Sequence, residues 1–478
     1  MAVELIVRGG TVVTAAGSRR ADVAISGGRI EAIESSLPER REARELDASG
    51  LLVLPGVIDA HTHTRVATDA QPDRFFQDSA AAALGGTTTF LCFNNPGTGV
   101  TSEGGSLLGD LQEWRSRTEG DSAVDYGLSL VLSADHADPS IEMPAAIEAG
   151  VPTFKAFMVY DFGVSDATLL SAFETAAAHG GMLQVHCENR TLLEANTRRL
   201  LAEGKVAPRY HPISRPALVE AEATHRAIRL AEAADAPLYV VHLSSAAALE
   251  QVRWARARGR PVFAETCPHY LTLDESRYEL PDEQAVRYVI SPPLRSPADR
   301  AELWAGLAEG SLNIVATDHV PDRLAVEKQS WRESFDRISN GGPGIETLLS
   351  VVYSEGVARG RISVERMVDL LSTTPARLFG LPAKGALEPG RDADLVLFDP
   401  TEKRTLTAGE LHHTSDYTPY EGLAVNGAVR TVLLRGQEVV RDGRFVGRRG
   451  QGRFQARRLD GVHSTELPGG AARARLSK

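Results

Sequence analysis

Lysine is scarce in this chain. Of its 52 basic residues only six are lysine (Lys155, Lys205, Lys328, Lys384, Lys403 and Lys478), and the other 46 are arginine. Almost everywhere a position needs a cation, this chain uses arginine. Cysteine is scarcer still. Cys92, Cys187 and Cys267 lie far apart, each in an apolar run, and form no C-x-x-C pair. That pattern argues against a disulfide framework and for buried, reduced thiols in a cytoplasmic protein. No run of 18 apolar residues occurs, so no transmembrane helix is expected. The opening MAVELIVRGGTVV has no basic stretch ahead of a long apolar one, so no signal peptide is expected either. Positive charge is in deficit, and a net charge of −11 disfavours a nucleic-acid partner.

What is present points to a large globular core, with 42% apolar and 24% charged residues. The length of 478 residues suggests two or three domains, although α/β barrels run long as single units. Residues 1–54 are short strands punctuated by GG and SGG turns, and residues 386–446 have the same texture. The two end segments are expected to pair into one small β-sandwich domain. Between them, over 55–385, short apolar runs alternate with helical stretches rich in Ala, Glu and Arg. The runs fall at 56–63, 87–93, 126–133, 152–158, 182–188, 238–244, 261–267 and 312–318. Eight such units predict an α/β fold, a (β/α)8 TIM-like barrel. A doubly wound sheet is the alternative, but no GxGxxG follows the first strand. Residues 447–478 read as a C-terminal tail or interface arm. Arg448, Arg449, Arg457 and Arg458 there suit either an intersubunit contact or a solvated tail.

Polar residues gather at the C-terminal ends of these runs. The first ends in His61 and His63, the fourth carries Lys155, the fifth ends at His186, the sixth carries His242 and the eighth ends at Asp318. In a barrel those ends converge on one mouth, where active sites are built. A lone strand histidine is more often a hydrogen-bonded core residue than a ligand. In H-x-H, however, both rings point to one face and can reach one metal. The whole set together predicts a divalent-metal site.

Lys155 lies in VPTFKAFMVY, a stretch that otherwise reads as a buried strand. A buried ammonium is costly, and burial beside cations lowers its pKa. A neutral amine can add carbon dioxide and become a carbamate, an anion whose two oxygens can bridge two metal ions. Arginine stays protonated and cannot do this. A lysine snorkelling to the strand end, or paired with a carboxylate, is the plainer alternative. The surrounding histidines favour the carbamate.

The motifs GVIDAHTH, FKAFM, VHCEN, VVHLSS, ETCPHYL, SPPLR, TDH, SNGGPGIE and KGALEPGRDADLVLFDP occur in that order over about residues 1–455. In them the chain resembles the amidohydrolase superfamily and, within it, the dihydropyrimidinase/hydantoinase family of cyclic amidases. The resemblance implies two divalent metals, usually zinc. His61, His63 and Asp318 would hold one, His186 and His242 the other, and carboxylated Lys155 would bridge them. It implies a hydroxide nucleophile between the metals, Asp318 as general base and then acid, and Tyr160 as oxyanion donor. Ser291 and Asn340 would hold a small cyclic amide or imide, such as a 5,6-dihydropyrimidine or a 5-substituted hydantoin, largely through the main chain. The ring amide would open to an N-carbamoyl amino acid. The resemblance also implies a homotetramer, or a homodimer.

The loops depart from that pattern in places. Arg65 makes H-x-H-x-R, similar to a dihydroorotase, in which that arginine grips a substrate carboxylate. The CFNNPGTG loop, His269 in CPHY and the TDHVP segment lean toward allantoinase. Tyr160 and SNGGPGIE favour the hydantoinase reading over these two. A non-catalytic scaffold is the reading from another class, and the six filled ligand positions speak against it.

Overall fold

The computed structural model describes residues 3–94, 105–136 and 138–459. The loop at 95–104 after the second barrel strand, and residues 460–478 of the tail, lie outside them. The eight expected runs form eight parallel strands: Val57–Thr62, Thr87–Phe93, Asp125–Leu132, Thr153–Phe157, Met182–His186, Leu238–Val240, Val262–Thr266 and Ile314–Val315. Each pairs with its successor in sequence. A parallel bridge between Thr62 and His319 brings the last strand back to the first. Every residue of the eight strands is buried. Parallel strands covered on both faces read as continuous apolar runs, and that is why the sequence shows no alternation here.

The strands still alternate by side. Phe90 and Cys92 join the large outer cluster under the helices. Leu91 instead joins Met182, Tyr239, Phe263 and Ile314 from four other strands in a separate cluster, which is the barrel interior. Helices Asp166–His179 and Pro297–Glu309 show how the covering layer is punctuated. Ser165 and Ser296 accept from backbone N–H groups of the first turns, and Gly180 and Gly310 end the helices at φ of 76° and 90°.

The expected strands at 238–244 and 312–318 stop early. The ladder ends at Val240 and at Val315. Beyond those points His242 and Asp318 turn to positive φ, 39° and 52°. A left-handed residue cannot continue an extended ladder. The chain bends there, and both side chains leave the strand direction.

The two chain ends share one nine-stranded mixed sheet. Strand Leu52–Pro55 is the hinge of this arrangement. It pairs parallel with Leu5–Thr14 and antiparallel with Leu395–Thr405, then runs directly into the first barrel strand. Ile30 from one end of the sheet packs in the same cluster as Leu395 and Leu433 from the other. A flat sheet would hold these apart, so the sheet folds over its own core.

The terminal segment to Leu459 lies against its own barrel, on the side where the strands begin. Tyr126 donates its N–H to Arg453 at 3.1 Å, and Gln455 donates to Tyr126 at 2.7 Å. Arg457 is 1% exposed, unlike an arginine of a solvated tail. Its guanidinium donates to the Leu128 and Phe379 carbonyls and to Thr153 Oγ1. Arg449 pairs with Asp73 and Asp121. Leu459 joins the interior cluster with Phe379 and helps close the barrel floor.

Candidate metal centre and active site

At the opposite mouth, five of the six anticipated metal-site residues come from strand ends, with Lys155 one turn of the pleat deeper. His61 Nε2 lies 3.0 Å from Asp318 Oδ1, His63 Nε2 lies 3.1 Å from the same oxygen, and the two nitrogens are 3.2 Å apart. The hydrogen bonds behind them make this triangle informative. His61 Nδ1 is held by Glu265, so its proton sits on that side and Nε2 presents a lone pair. A lone pair facing a carboxylate oxygen at 3.0 Å is repulsive unless a proton or a metal cation lies between them. His61 Nε2, His63 Nε2 and Asp318 Oδ1 converge on one point, and among the described residues they form one of two groups able to hold an ion.

Without an ion a proton takes that place, and the titration directions follow from it. Burial and Lys155 push the His61 imidazole down, yet Glu265 and Asp318 outweigh them and its pKa is raised. Burial lowers His63 to about 4. Burial pushes the Asp318 carboxyl up, but His61 and His63 hold it well below the usual carboxylate range. At neutral pH Asp318 is therefore an acceptor.

His186 and His242 stand opposite, ring centroids 4.5 Å apart, and His242 is 5.4 Å from His61. His186 Nε2 is engaged by Glu188 at 2.8 Å, which leaves Nδ1 as its ligand atom. Glu188 is in turn held by Arg215. Burial pushes Glu188 up, but Arg215 and His186 bring it down to about 2. Glu265 has the same part on the other side, accepting from Tyr239 Oη at 2.7 Å and from the His242 N–H at 3.1 Å. Carboxylates that orient ligating imidazoles in this way set the tautomer and raise ligand basicity.

Lys155 is fully buried, and its Nζ has no hydrogen-bond partner among the described residues. It lies 4.7 Å and 5.0 Å from the ring centroids of Phe93 and Phe157. Burial lowers it to about 8, against the pull of Asp318 and Glu265. An unpartnered amine beside four imidazoles, with His63 Nδ1 and His242 Nδ1 also unpartnered, fits a centre that is completed by bound ions. It does not fit a finished hydrogen-bond network.

A cavity of about 530 Å³ opens over this centre, lined among others by His63, His186, His242, Asp318, Tyr160, Ser291 and Asn340. Tyr160 takes φ of 71°, a strained value for a bulky residue. Burial raises its phenol, and Arg215, Ser291 and Asn340 pull it back. Ser291 Oγ and Asn340 Oδ1 are buried beside that phenol and have no other partner among the described residues. Phe157 and Phe162 form an aromatic wall, their centroids 5.1 Å apart. Arg65 also lines the cavity, but Asp322 and Glu327 engage its guanidinium. His269 packs edge-to-face on Tyr270, ring centroids 4.1 Å apart, and is not among the lining residues.

Glu188, Glu265 and Arg215 are the functional residues that the motif reading passed over. The signal existed. Glu265 is a carboxylate inside the apolar run VFAETC, as anomalous as the lysine in FKAFM.

Comparison with known proteins agrees with this picture. Residues 52–439 match the model of the amidohydrolase family. The chain is 40% identical to a D-hydantoinase of Streptomyces coelicolor over 96% of its length and 98% of the relative's. It is 38% identical to a D-phenylhydantoinase of Escherichia coli, covering 95% and 98% of the two chains. The solved structure of a dihydropyrimidinase from Brevibacillus agri superposes with a TM-score of 0.90 at 41% identity, covering 95% and 98%.

Proposed function

The chain belongs to the amidohydrolase family, and from that premise we propose that it is a two-metal cyclic amidase. In this reading it opens the ring amide of a 5-substituted hydantoin or a 5,6-dihydropyrimidine to give an N-carbamoyl amino acid. One observation carries the proposal. The converging candidate ligand atoms of His61, His63 and Asp318 and the unpartnered Lys155 amine sit beneath the same cavity that Tyr160, Ser291 and Asn340 line.

Two divalent ions, zinc in our reading, held by His61, His63 and Asp318 and by His186 and His242 with carboxylated Lys155 between, would lower the pKa of a water and polarise the scissile carbonyl. Asp318, ionised at rest, takes the proton of the attacking water and delivers it to the leaving ring nitrogen. Tyr160, kept protonated by its surroundings, donates to the developing oxyanion. Ser291 and Asn340 hold the polar edge of the ring. Phe157 and Phe162 cover an apolar ring substituent, which favours an aryl or alkyl hydantoin. Arg65, already neutralised by two carboxylates, gives no grip to a carboxylate substrate, and that weighs against dihydroorotase.

Turnover of dihydrouracil, phenylhydantoin, allantoin and dihydroorotate by zinc-loaded enzyme tests the assignment. Hydrolysis of the first two is expected, and turnover of allantoin alone would overturn it. Tyr160→Phe should lower kcat by roughly 100-fold with metal content unchanged. The three buried free thiols suit a cytoplasmic enzyme. Among the described residues no helix is long and apolar enough to cross a membrane. A homotetramer, or a homodimer, is expected by light scattering.

A further inference from the structure

Among the described residues three lysines are buried: Lys155, Lys328 and Lys384. The metal centre accounts for the first, and carboxylates surround the third. Lys328 has neither explanation. It is 0% exposed, and no ion pair reaches its Nζ among the described residues. Instead it donates to two main-chain carbonyls from different loops, Val289 at 2.9 Å and Ser339 at 2.7 Å. These two loops carry Ser291 and Asn340 into the cavity.

The bonds around those two residues form a pattern. His211 Nε2 donates to the Ile290 carbonyl at 2.9 Å, next to the carbonyl that Lys328 holds. Tyr417 Oη donates to the Gly341 carbonyl at 3.0 Å, so Asn340 is bracketed by tied carbonyls on both sides. Lys328 Nζ sits 6.0 Å over the same Tyr417 ring. A peptide unit is planar, so fixing the Ser339 carbonyl fixes the direction of the Asn340 N–H. Lys328 donates to the main chain of both loops, and its reach bears on the distance between them.

We propose that Lys328 is a positioning residue that sets the spacing of the Ser291 and Asn340 main chains and so determines recognition of the imide edge. The inference rests on the reading of those two residues as the ones that hold the ring. The choice of lysine fits the geometry. Burial brings the amine down to about 8, with Asp322 the charged group facing it. A neutral amine still has two N–H groups for two carbonyls, so the tie survives on either side of that pH.

Lys328→Met in the zinc-loaded enzyme is the test. It leaves two buried carbonyls without a donor, and KM for phenylhydantoin and dihydrouracil should rise at least about tenfold. The kcat should change by less than about threefold and the metal content not at all. Tyr417→Phe should shift KM in the same direction by less. A merely structural lysine would lower the melting temperature and leave KM within twofold, and that result would overturn the proposal. If Lys328→Met fails to fold, Lys328→Gln, which keeps an amide nitrogen on a shorter side chain, serves in its place. Amide hydrogen exchange across 339–342 gives a second readout that needs no turnover. Should the wild type hydrolyse no cyclic amide, the substrate reading fails. Faster exchange in the variant would still support the tie, and unchanged exchange would refute it.

Discussion

At the scale of single residues, the site is built from groups whose chemistry differs from their ordinary role. Lys155 is an amine where the chain elsewhere uses arginine, and its Nζ has no partner in a sleeve of Phe93 and Phe157. Lys155→Arg keeps the positive charge but cannot form a carbamate, so bound zinc and activity should both be lost. Lys155→Ala supplied with a short carboxylic acid should recover part of each. A Lys155→Arg enzyme that still holds two zinc ions would end the carbamate reading. Glu265 is the matching case one shell further out. Glu265→Gln can still bond Tyr239 or the His242 N–H, but it no longer holds the His61 proton on Nδ1 as a carboxylate does. Zinc affinity should fall by about 10- to 100-fold, measured by competition with a chelator. An unchanged affinity would reduce Glu265 to a core residue.

At the scale of elements, the junction between end sheet and barrel rests on one glycine. A Cβ on Gly56 would meet Thr88 Oγ1 at 2.0 Å and two further Thr88 atoms within 2.8 Å. Thr88 is β-branched and 1% exposed, so it has little room to turn away. Gly56→Ala should destabilise by about 1–3 kcal/mol, and Thr88→Ala in the same chain should recover most of it. Additive losses in urea melts would show that the strain lies elsewhere. This is also where the limits of reading the sequence are clearest. The run 87–93 was legible residue for residue, because parallel strands buried on both faces leave unbroken apolar segments. The ends at Val240 and Val315 were not. Positive φ at His242 and Asp318 is imposed by where those side chains must point, and no local propensity encodes it. The site divides in the same way. His61, His63, Lys155, His186, His242 and Asp318 stand out as polar residues in apolar runs. The task of Lys328 does not, because its partners are carbonyls, which every residue carries.

At the scale of the whole molecule, acid exposes what burial has suppressed. His211 is 1% exposed and donates Nε2–H to the Ile290 carbonyl. Burial, with help from Arg215, lowers it to about 3. His413, also deep, is lowered by burial to about 4, with His319 adding to the effect. An unfolded chain binds protons at such sites from about pH 6.5 downward, while the folded chain does not until its own lower value is reached. The unfolded state therefore gains protons across that window, and stability must fall as pH drops from about 6.5 toward 4. Glu188 works in the same direction further down. Its folded value of about 2 gives stability that is present above the unfolded value and lost as pH falls through that range. Each histidine contributes on the order of 3 kcal/mol to the decline by pH 4. His211→Gln separates this account from metal loss, since an amide keeps an N–H for Ile290 and never titrates. Its urea midpoint should fall less steeply than the wild type between pH 6.5 and 4, with both proteins stripped of metal. Parallel slopes would mean that His211 is already charged in the fold, and that its carbonyl contact is not what holds it neutral.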